Sequence, residues 1–214
     1  MDAHELRLAG VPAPRRRISA EQEAQLSKRQ RGLLDALEEL VMRERIADMT
    51  MADIAKRVNC SLRTLYAIAP SRDELLLAAA DRRLRRVGRA AIQILSTTDS
   101  PLEQVRAYLR ATNEAVQSDS VTLNRNLAGV SGAQQLSDEH RNFLTSVVRQ
   151  CLDRAVDAGE IEPRDTLALA QVLGMLGAYL GTSHIAESLQ KPPGDTANEM
   201  VDLILAGLQQ NRKN

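Results

Sequence analysis

The amino-acid sequence predicts an all-α fold of about nine helices, on three observations. Helix-favouring aliphatic residues dominate its apolar content, since the 214 residues include one Phe, three Tyr and no Trp. Apolar residues recur at helical spacings, and no segment shows the sustained two-residue alternation of a half-buried strand. Ser or Thr residues followed three positions later by a carboxylate or an amide also recur, as they do where a capping box starts a helix.

Four such capping signals divide the first half of the chain. They begin at Ser19, Thr50, Ser71 and Ser100. A stripe of leucines after Ser19 predicts one helix over about 19–46, and the signal at Ser71 predicts another as far as about residue 96. The last signal places Pro101 at the first helical position, where its missing N–H costs no hydrogen bond.

Turn residues mark the helices of the second half. We expect a helix from about residue 137 to Gly159, whose lack of a Cβ suits a left-handed cap, and another over about 164–189. Lys191-Pro-Pro-Gly194 ends that helix, and Asp195 is expected to cap a last amphipathic helix. Between about residues 118 and 135, two glycines and few apolar anchors predict a short or irregular helix.

One stretch is apolar enough to raise the question of a membrane span. No charged residue occurs from Thr166 to Ala186, and a transmembrane helix needs about 20 predominantly apolar residues. Several polar residues interrupt the stretch, and its basic flanks are thin. We therefore expect a buried helix in a soluble protein.

Cysteine and histidine positions argue against an enzyme or a metalloprotein. Cys60 and Cys151 are too few for a disulfide framework and lack metal-ligand spacing, so we expect a reducing, cytoplasmic location. His4, His140 and His184 are scattered, and no spacing suggests a catalytic set. We expect no catalytic residue, no metal and no cofactor.

Charge is unevenly distributed although the formal net charge is zero. Residues 1–90 carry 18 Lys and Arg against 13 Asp and Glu, whereas residues 91–214 carry 10 against 15. The basic first segment predicts contact with a polyanion. Its start, residues 1–18, is expected to be a flexible arm whose Arg15-Arg16-Arg17 either enters a minor groove or remains a solvated tail. A second basic run is expected to form a solvated face or interdomain salt bridges in preference to the alternative, a DNA contact. Its members are Arg82, Arg83, Arg85, Arg86 and Arg89.

Residues 50–75 have the spacing of a helix-turn-helix. A small residue, Ala55, lies where the second helix would cross the first. Four positions later, Asn59 tolerates the positive φ that the turn requires. Leu65 then supplies an apolar residue to the inner face of the second helix, which Ser61 is placed to cap. These spacings alone also fit an ordinary helical hairpin.

The same segment resembles the signature of TetR-family transcriptional regulators. The matching residues are Thr50, Asp53-Ile-Ala55, Ser61, Thr64-Leu-Tyr66 and Pro70-Ser-Arg-Asp-Glu-Leu75. Ala69 stands where the family has an aromatic residue, and Arg72 replaces its customary lysine. The resemblance covers about the first third of the chain. It implies a sequence-specific DNA-binding regulator that acts as a homodimer on a palindromic operator.

The resemblance also implies which residues contact DNA. Thr50, Tyr66 and Arg72 would bind phosphates and set the register on the duplex. The residues that would face the major groove are Ser61, Leu62, Arg63, Thr64 and Ala67. Of these, only Arg63 offers a donor fork for guanine O6 and N7, so each half-site would be read through few contacts. A dimer would therefore be needed for selectivity.

A strip of small residues suggests where that dimer forms. In TetR-like proteins, the last two long helices of each subunit pair with those of the partner in a four-helix bundle. The residues expected at this two-fold interface are Gly174, Gly177, Ala178, Gly181, Ile204 and Leu208. Small residues also let helices pack closely within one monomer, so an intramolecular role for the strip stays open.

A ligand cavity is a further implication of the resemblance. Helices between residues 101 and 189 would enclose it, and the candidate contacts are Tyr108, Asn113, Arg125, Phe143, Gln171, Met175 and Tyr179. The aliphatic composition favours a mainly apolar effector, of unknown identity, that releases a repressor from DNA. The alternative is an effector-independent DNA-binding dimer, either architectural or regulated by a partner.

These features predict a flexible arm followed by two domains. After the basic arm of residues 1–18, residues 19–70 would form a three-helix helix-turn-helix domain that binds DNA. Residues 71–214 would form a larger helical domain for ligand binding and dimerisation. The helix that starts at Ser71 joins the two and would act as the lever between them.

Overall fold

A computed structural model of the chain describes residues 11, 13–44, 46, 48–117 and 120–210. Within these ranges the chain forms eleven α-helices and one short 3₁₀ segment, Leu95–Thr97, with no strand. The predicted all-α fold is confirmed, with eleven helices in place of about nine. In chain order the helices are α1 (Ala20–Gln25), α2 (Lys28–Arg43), α3 (Met51–Arg57), α4 (Leu62–Tyr66), α5 (Arg72–Ile94), α6 (Pro101–Gln117), α7 (Ser120–Leu127), α8 (Ala133–Asp157), α9 (Thr166–Leu180), α10 (Ser183–Ala186) and α11 (Pro193–Gln210).

The capping signals form the hydrogen bonds that start the helices. Ser19 with Gln22 and Thr50 with Asp53 form reciprocal capping boxes. The Ser71 and Ser100 hydroxyl oxygens each accept the backbone N–H three residues later, at 3.2 Å. Each bond satisfies a first-turn N–H that has no partner within its helix.

Two predicted helices are each divided by a local cap. The helix expected over 19–46 breaks after α1, because Ser27 accepts the Gln30 N–H and donates its own N–H to Gln30 Oε1 at 2.9 Å. This further capping box starts α2 and was not predicted from the sequence. The helix expected over 164–189 ends at Leu180, where Gly181 is the C-cap, and α10 follows.

The last helix also starts earlier than expected. Asp195 was predicted to cap it, but α11 begins at Pro193, so that Asp195 lies in the first turn. Proline is well suited to a first-turn position because no intrahelical N–H is lost there. The predicted stop at Gly159 is confirmed by its φ of 66°.

One compact unit contains the helix-turn-helix. It comprises residues 15–85 and 119–139, and its core includes Leu34, Leu37, Ile54 and Leu65, each with 0% of the side chain exposed. Apolar residues of α7 and of the turn after it belong to the same core. The unit is therefore larger than the segment 19–70 assigned from the sequence, and the functional division at residue 70 stays a prediction.

The other compact unit includes residues 86–118 and 140–214. Helix α11 packs against α6 and α9, and the core includes Tyr108, Val147, Cys151 and Leu205. The turn between α8 and α9 anchors the start of α6, where Glu160 Oε2 accepts the Leu102 N–H at 2.9 Å. No helix within the described ranges is long and apolar enough to cross a membrane.

Candidate nucleic-acid interface

The turn between α3 and α4 has the predicted geometry. Asn59 adopts a φ of 51°, which makes it the single residue other than glycine with positive φ in the part of the chain that the structure describes. The next N–H, that of Cys60, donates to the Ala55 carbonyl at 2.9 Å and closes the turn. Ala55 is 4% exposed, so its small side chain lies in the core. The helix-turn-helix prediction is confirmed in its local structure.

Helix α4 turns one apolar residue inward and presents the rest of its surface to solvent. Ser61 caps the helix by accepting the Thr64 N–H at 3.2 Å, and the two hydroxyl oxygens lie 2.7 Å apart. Leu65 is fully buried, whereas Leu62 is 40% exposed and Tyr66 is 51% exposed. Arg63 and Ala67 are also exposed. The exposed side of α4 therefore combines apolar side chains with the Arg63 guanidinium.

Thr50 lies at the exposed N-cap of α3. Its hydroxyl donates to Asp53 Oδ2 at 2.6 Å, and its backbone N–H donates to the same oxygen at 3.0 Å. These hydrogen bonds hold the pKa of the Asp53 carboxyl below its usual range. For the Thr50 hydroxyl to donate to a phosphate, it would have to turn away from Asp53.

Arg72 makes its observed contacts within the protein. Its Nε donates to the Met49 carbonyl at 2.7 Å and its Nη2 donates to the Ile46 carbonyl at 2.9 Å. Its Nη1 lies 3.3 Å from Asp73 Oδ1. Three guanidinium nitrogens are thus engaged by the chain itself, and the predicted phosphate contact stays a prediction.

Ile46 and Met49 belong to the loop between α2 and α3, and a residue that was not predicted from the sequence, Asn126, also binds this loop. The Asn126 side chain is 1% exposed, and its Oδ1 accepts the Ile46 N–H at 3.0 Å. Its Nδ2 donates to the carbonyls of Val41 and Glu44, at 2.8 and 2.6 Å. The signal that could have drawn attention to it is a lone amide among the apolar anchors of α7.

The end of the basic arm runs along the helix-turn-helix unit. The Arg17 N–H donates to Asp81 Oδ2 at 3.0 Å, and Ile18 packs against the core. Residues 15–18, residues of α1, the start of α2, residues 67–70 and the first half of α5 line a cleft of about 630 Å³. The arginines of the arm therefore lie close to the C-terminal end of α4. Residues 1–10 and 12 of the predicted arm lie outside the described residues.

The basic run on α5 serves salt bridges at two of its positions. Arg82 contacts carboxylates of Glu23, Asp35 and Glu38 at 2.6–3.2 Å. Arg85 Nε lies 2.9 Å from Asp81 Oδ2. The salt-bridge interpretation of this run is confirmed for these two arginines.

The predicted ligand contacts do not share one environment. In the second unit, Tyr108, Asn113 and Phe143 are buried, and the Asn113 amide donates to Asn198 Oδ1 at 2.9 Å. Burial raises the pKa of the Tyr108 hydroxyl. The other four, Arg125, Gln171, Met175 and Tyr179, are exposed.

The glycine strip of α9 packs inside the monomer. A Cβ on Gly174 would lie 3.0 Å from Leu144 Cδ2, and a Cβ on Gly177 would overlap the Asn113 amide oxygen. Gly181 is buried at the C-cap, Leu208 is 6% exposed and Ile204 packs against the core. Of the predicted interface residues, Ala178 alone is exposed. Small residues serve intramolecular and intermolecular helix contacts alike, and here Gly174 and Gly177 serve the former.

A different surface of the same unit is apolar and exposed. The exposed fractions are 46% for Leu167, 52% for Val172, 51% for Met175 and 56% for Tyr179 on α9, and 65% for Leu203 on α11. These five residues are called the α9–α11 apolar face below. Because α9 is apolar on all sides, its periodicity does not distinguish this face from the buried one.

Comparison of sequences finds partial relatives. The chain matches no protein-family model. Two curated relatives, uncharacterised HTH-type transcriptional regulators from two strains of Mycobacterium tuberculosis, are 33% identical to it over 85 residues. The match covers 40% of this chain and 42% of each relative, which is less than half the length of either protein.

Solved structures share more of the chain. The TetR-family transcriptional regulator PfmR from Thermus thermophilus is similar with a TM-score of 0.60 at 20% identity, over 82% of this chain and 98% of that one. The fatty acid degradation regulator FadR from Bacillus halodurans is similar with a TM-score of 0.67 at 13% identity, over 86% and 98%. The resemblance predicted from the motif is thus confirmed at the level of the fold.

Proposed function

Because the chain has the fold of TetR-family transcriptional regulators, we propose that it is a cytoplasmic, sequence-specific DNA-binding regulator. It acts as a homodimer that inserts one α4 helix per subunit into successive major grooves of a palindromic operator. The observation that carries this proposal is the orientation of α4. Buried Leu65 fixes the inner face, so that Leu62, Arg63, Tyr66 and Ala67 face outward together.

The chemistry of this outer face assigns the contacts. Arg63 would donate to O6 and N7 of a guanine, which is the commonest base-specific contact in the major groove. Leu62 and Ala67 would meet thymine methyl groups, and the hydroxyls of Ser61 and Thr64 would lie against base edges. The phosphate contacts would come from Thr50 and Tyr66, with Arg72 as a further candidate.

The homodimer would form through the α9–α11 apolar face. Its α9 members, Leu167, Val172, Met175 and Tyr179, lie three to five residues apart along one side of that helix, with Leu203 on α11. A second copy is the occupant that suits it, because a two-fold contact lets one apolar, uncharged surface bury its own equivalent. The small residues Gly174 and Gly177 would bring α9 close to the helices behind it and leave this side free.

Selection from random duplexes tests DNA binding and identifies the operator in the same experiment. We expect enrichment of a palindrome whose half-sites are about one helical turn apart, and affinity that falls steeply with salt as counterions are released. Sedimentation with the selected duplex should show an even number of chains on each palindrome. Equal affinity for selected and random duplexes, or one chain per palindrome, would contradict the proposal.

We further propose that the protein is a repressor released by a mainly apolar effector. The similarity in fold to a fatty acid degradation regulator supports a search that begins with acyl compounds. Within the second unit, Tyr108, Asn113 and Phe143 provide buried contacts of mixed polarity, as ligand sites require. Linkage predicts that effector and operator weaken each other equally, by roughly 5- to 150-fold. Titration of the effector with and without operator would measure this change in effector affinity, and equal affinities would contradict release by that compound.

The second candidate is an effector-independent DNA-binding dimer. It is favoured by the exposure of Gln171, Met175, Tyr179 and Arg125, because these four then line no buried ligand site. A thermal-shift series with fatty acids and acyl esters distinguishes the two functions. Stabilisation by a compound that also displaces operator supports the repressor, whereas operator binding unaffected by every compound supports the second candidate.

A further inference from the structure

Two polar side chains hold the loop that leads into α3, from two different helices. We propose that Asn126 on α7 and Arg72 on α5 are positioning residues for DNA binding, which set the place of Thr50 and the N-terminus of α3. The inference rests on the proposed function and adds an element to it. It makes α7, outside the helix-turn-helix motif, part of the DNA-binding apparatus.

The Asn126 amide binds both donor and acceptor groups of the loop backbone. Its oxygen accepts the Ile46 N–H at 3.0 Å, while its nitrogen donates to the Val41 carbonyl at the end of α2 and to the Glu44 carbonyl beyond it. With 1% of the side chain exposed, water cannot replace these three bonds. An apolar side chain of similar size would leave one donor and two acceptors unpaired.

Arg72 continues the same role toward α3. Its guanidinium donates to the Ile46 carbonyl at 2.9 Å and to the Met49 carbonyl at 2.7 Å. Ile46 is therefore held on both of its backbone polar groups, by Asn126 at the N–H and by Arg72 at the carbonyl. Met49 directly precedes Thr50, so Arg72 fixes the residue next to the predicted phosphate contact.

Asn126 and Arg72 clamp the loop from two helices, and a hydrogen bond connects the neighbourhoods of these two clamps. Asp73, beside Arg72, accepts the Ser131 N–H from the turn after α7 at 3.3 Å. On the far side of the loop, Arg57 of α3 binds Glu44 through two bonds of 2.6 and 2.7 Å. A displacement of α7 would thus be passed to the α2–α3 loop, and from there to α3.

Substitutions at the two positions test this role. On the selected operator, Asn126→Ala should weaken binding by about 5- to 100-fold, because a loop with unpaired buried groups would less often hold the arrangement that binds DNA. Because phosphate contacts position without reading bases, binding to random DNA should weaken by the same factor. The matched control is Gln104→Ala, which removes a buried amide that donates to the Thr98 carbonyl in the other unit. It should leave DNA binding unchanged.

Arg72→Lys distinguishes a clamp from a phosphate contact. Lysine keeps the positive charge but lacks the fork that reaches two carbonyls. A clamp predicts weaker operator binding for Arg72→Lys, whereas a direct phosphate contact predicts binding close to the parent. This variant also covers the case in which Asn126→Ala does not fold. Parent-like binding by Arg72→Lys would overturn the clamp for that residue.

A double-mutant cycle measures the coupling between Asn126 and Thr50 in DNA affinity, a quantity that general destabilisation of the fold would not change. If Asn126 acts by placing Thr50, Thr50→Ala should weaken binding in the parent and change little in the Asn126→Ala background. Additive losses, or binding by Asn126→Ala within about twofold of the parent, would overturn the proposal. A parent protein that prefers no duplex would instead refute the proposed function, so the two failures are distinguishable.

Discussion

The two compact units expose different chemistry around similar aliphatic cores. In the unit of residues 15–85 and 119–139, the exposed side of α4 combines the Arg63 guanidinium with hydroxyl groups and apolar atoms. In the unit of residues 86–118 and 140–214, the exposed side of α9 has no charged group, and Val172 and Tyr179 are more than half exposed. The first surface suits the grooves of a nucleic acid, and the second suits a copy of itself.

The contacts that hold these two surfaces in place differ as well. Backbone groups of the α2–α3 loop are bound by Asn126 and Arg72, which come from elsewhere in the same unit. In the second unit, close helix packing depends on Gly174 and Gly177, whose missing Cβ atoms make room for α8 and α6 side chains. The placement of the proposed DNA-binding surface thus depends on directed hydrogen bonds, and that of the apolar face on steric fit.

The largest expected effect concerns the apolar face. In a two-fold interface, Val172→Glu would bring two like charges together, which costs several kcal/mol. We therefore expect the dimer dissociation constant to rise by at least about a hundredfold, measured by sedimentation. Asn142→Glu, which adds the same charge at an exposed position of α8, should leave the dimer intact. An intact Val172→Glu dimer would place the interface elsewhere.

The second prediction tests the two faces of α4. Leu65→Ala removes a fully buried side chain and should lower the free energy of unfolding by about 2–5 kcal/mol in urea denaturation. Leu62→Ala, at a position 40% exposed, should change it by no more than about 0.5 kcal/mol and should alter DNA binding instead. Equal losses of stability would mean that α4 is oriented differently.

The third prediction separates the glycine strip from the apolar face. Gly177→Leu should destabilise each monomer by about 1–3 kcal/mol, because its side chain would overlap Asn113. Thermal unfolding of the monomer should reveal this loss. The control is Gly88→Ala in α5, where an added Cβ would have no packing neighbour within 4 Å. This variant should raise the free energy of unfolding by about 0.5–1 kcal/mol through helix propensity. If the stability of the Gly177→Leu monomer were unchanged, the glycine strip would be better assigned to the dimer interface.

The smallest expected effect concerns the cap of α3. Thr50 hydrogen bonds keep the folded-state pKa of Asp53 below its unfolded value. The stability they contribute is therefore present above the unfolded pKa and is lost as the pH falls through the folded pKa. The stability difference between the parent and Asp53→Asn should narrow from neutral pH to about pH 3. A constant difference over that range would exclude this role.

The features that could be predicted from the sequence are local. Asn59, Leu65 and the cap at Thr50 are fixed by neighbours within about six residues, so spacing was sufficient to identify them. The contacts of Asn126 join residues 80 or more positions apart, and periodicity carries no record of such a pairing. The exposed side of α9 was not predictable either, because a helix apolar on all sides gives no contrast between faces.

Arg63 offers the most direct test of the central claim that the outer face of α4 reads DNA. The measurement is the ratio of affinities for the selected operator and for random duplex, at fixed salt, in the parent and in Arg63→Ala. Loss of a bidentate base contact, about 1–3 kcal/mol per half-site, predicts a ratio at least about fivefold lower. Arg43→Ala, which removes an exposed arginine of α2, should leave the ratio unchanged. An unchanged ratio in Arg63→Ala would contradict the assignment of α4 as the recognition helix.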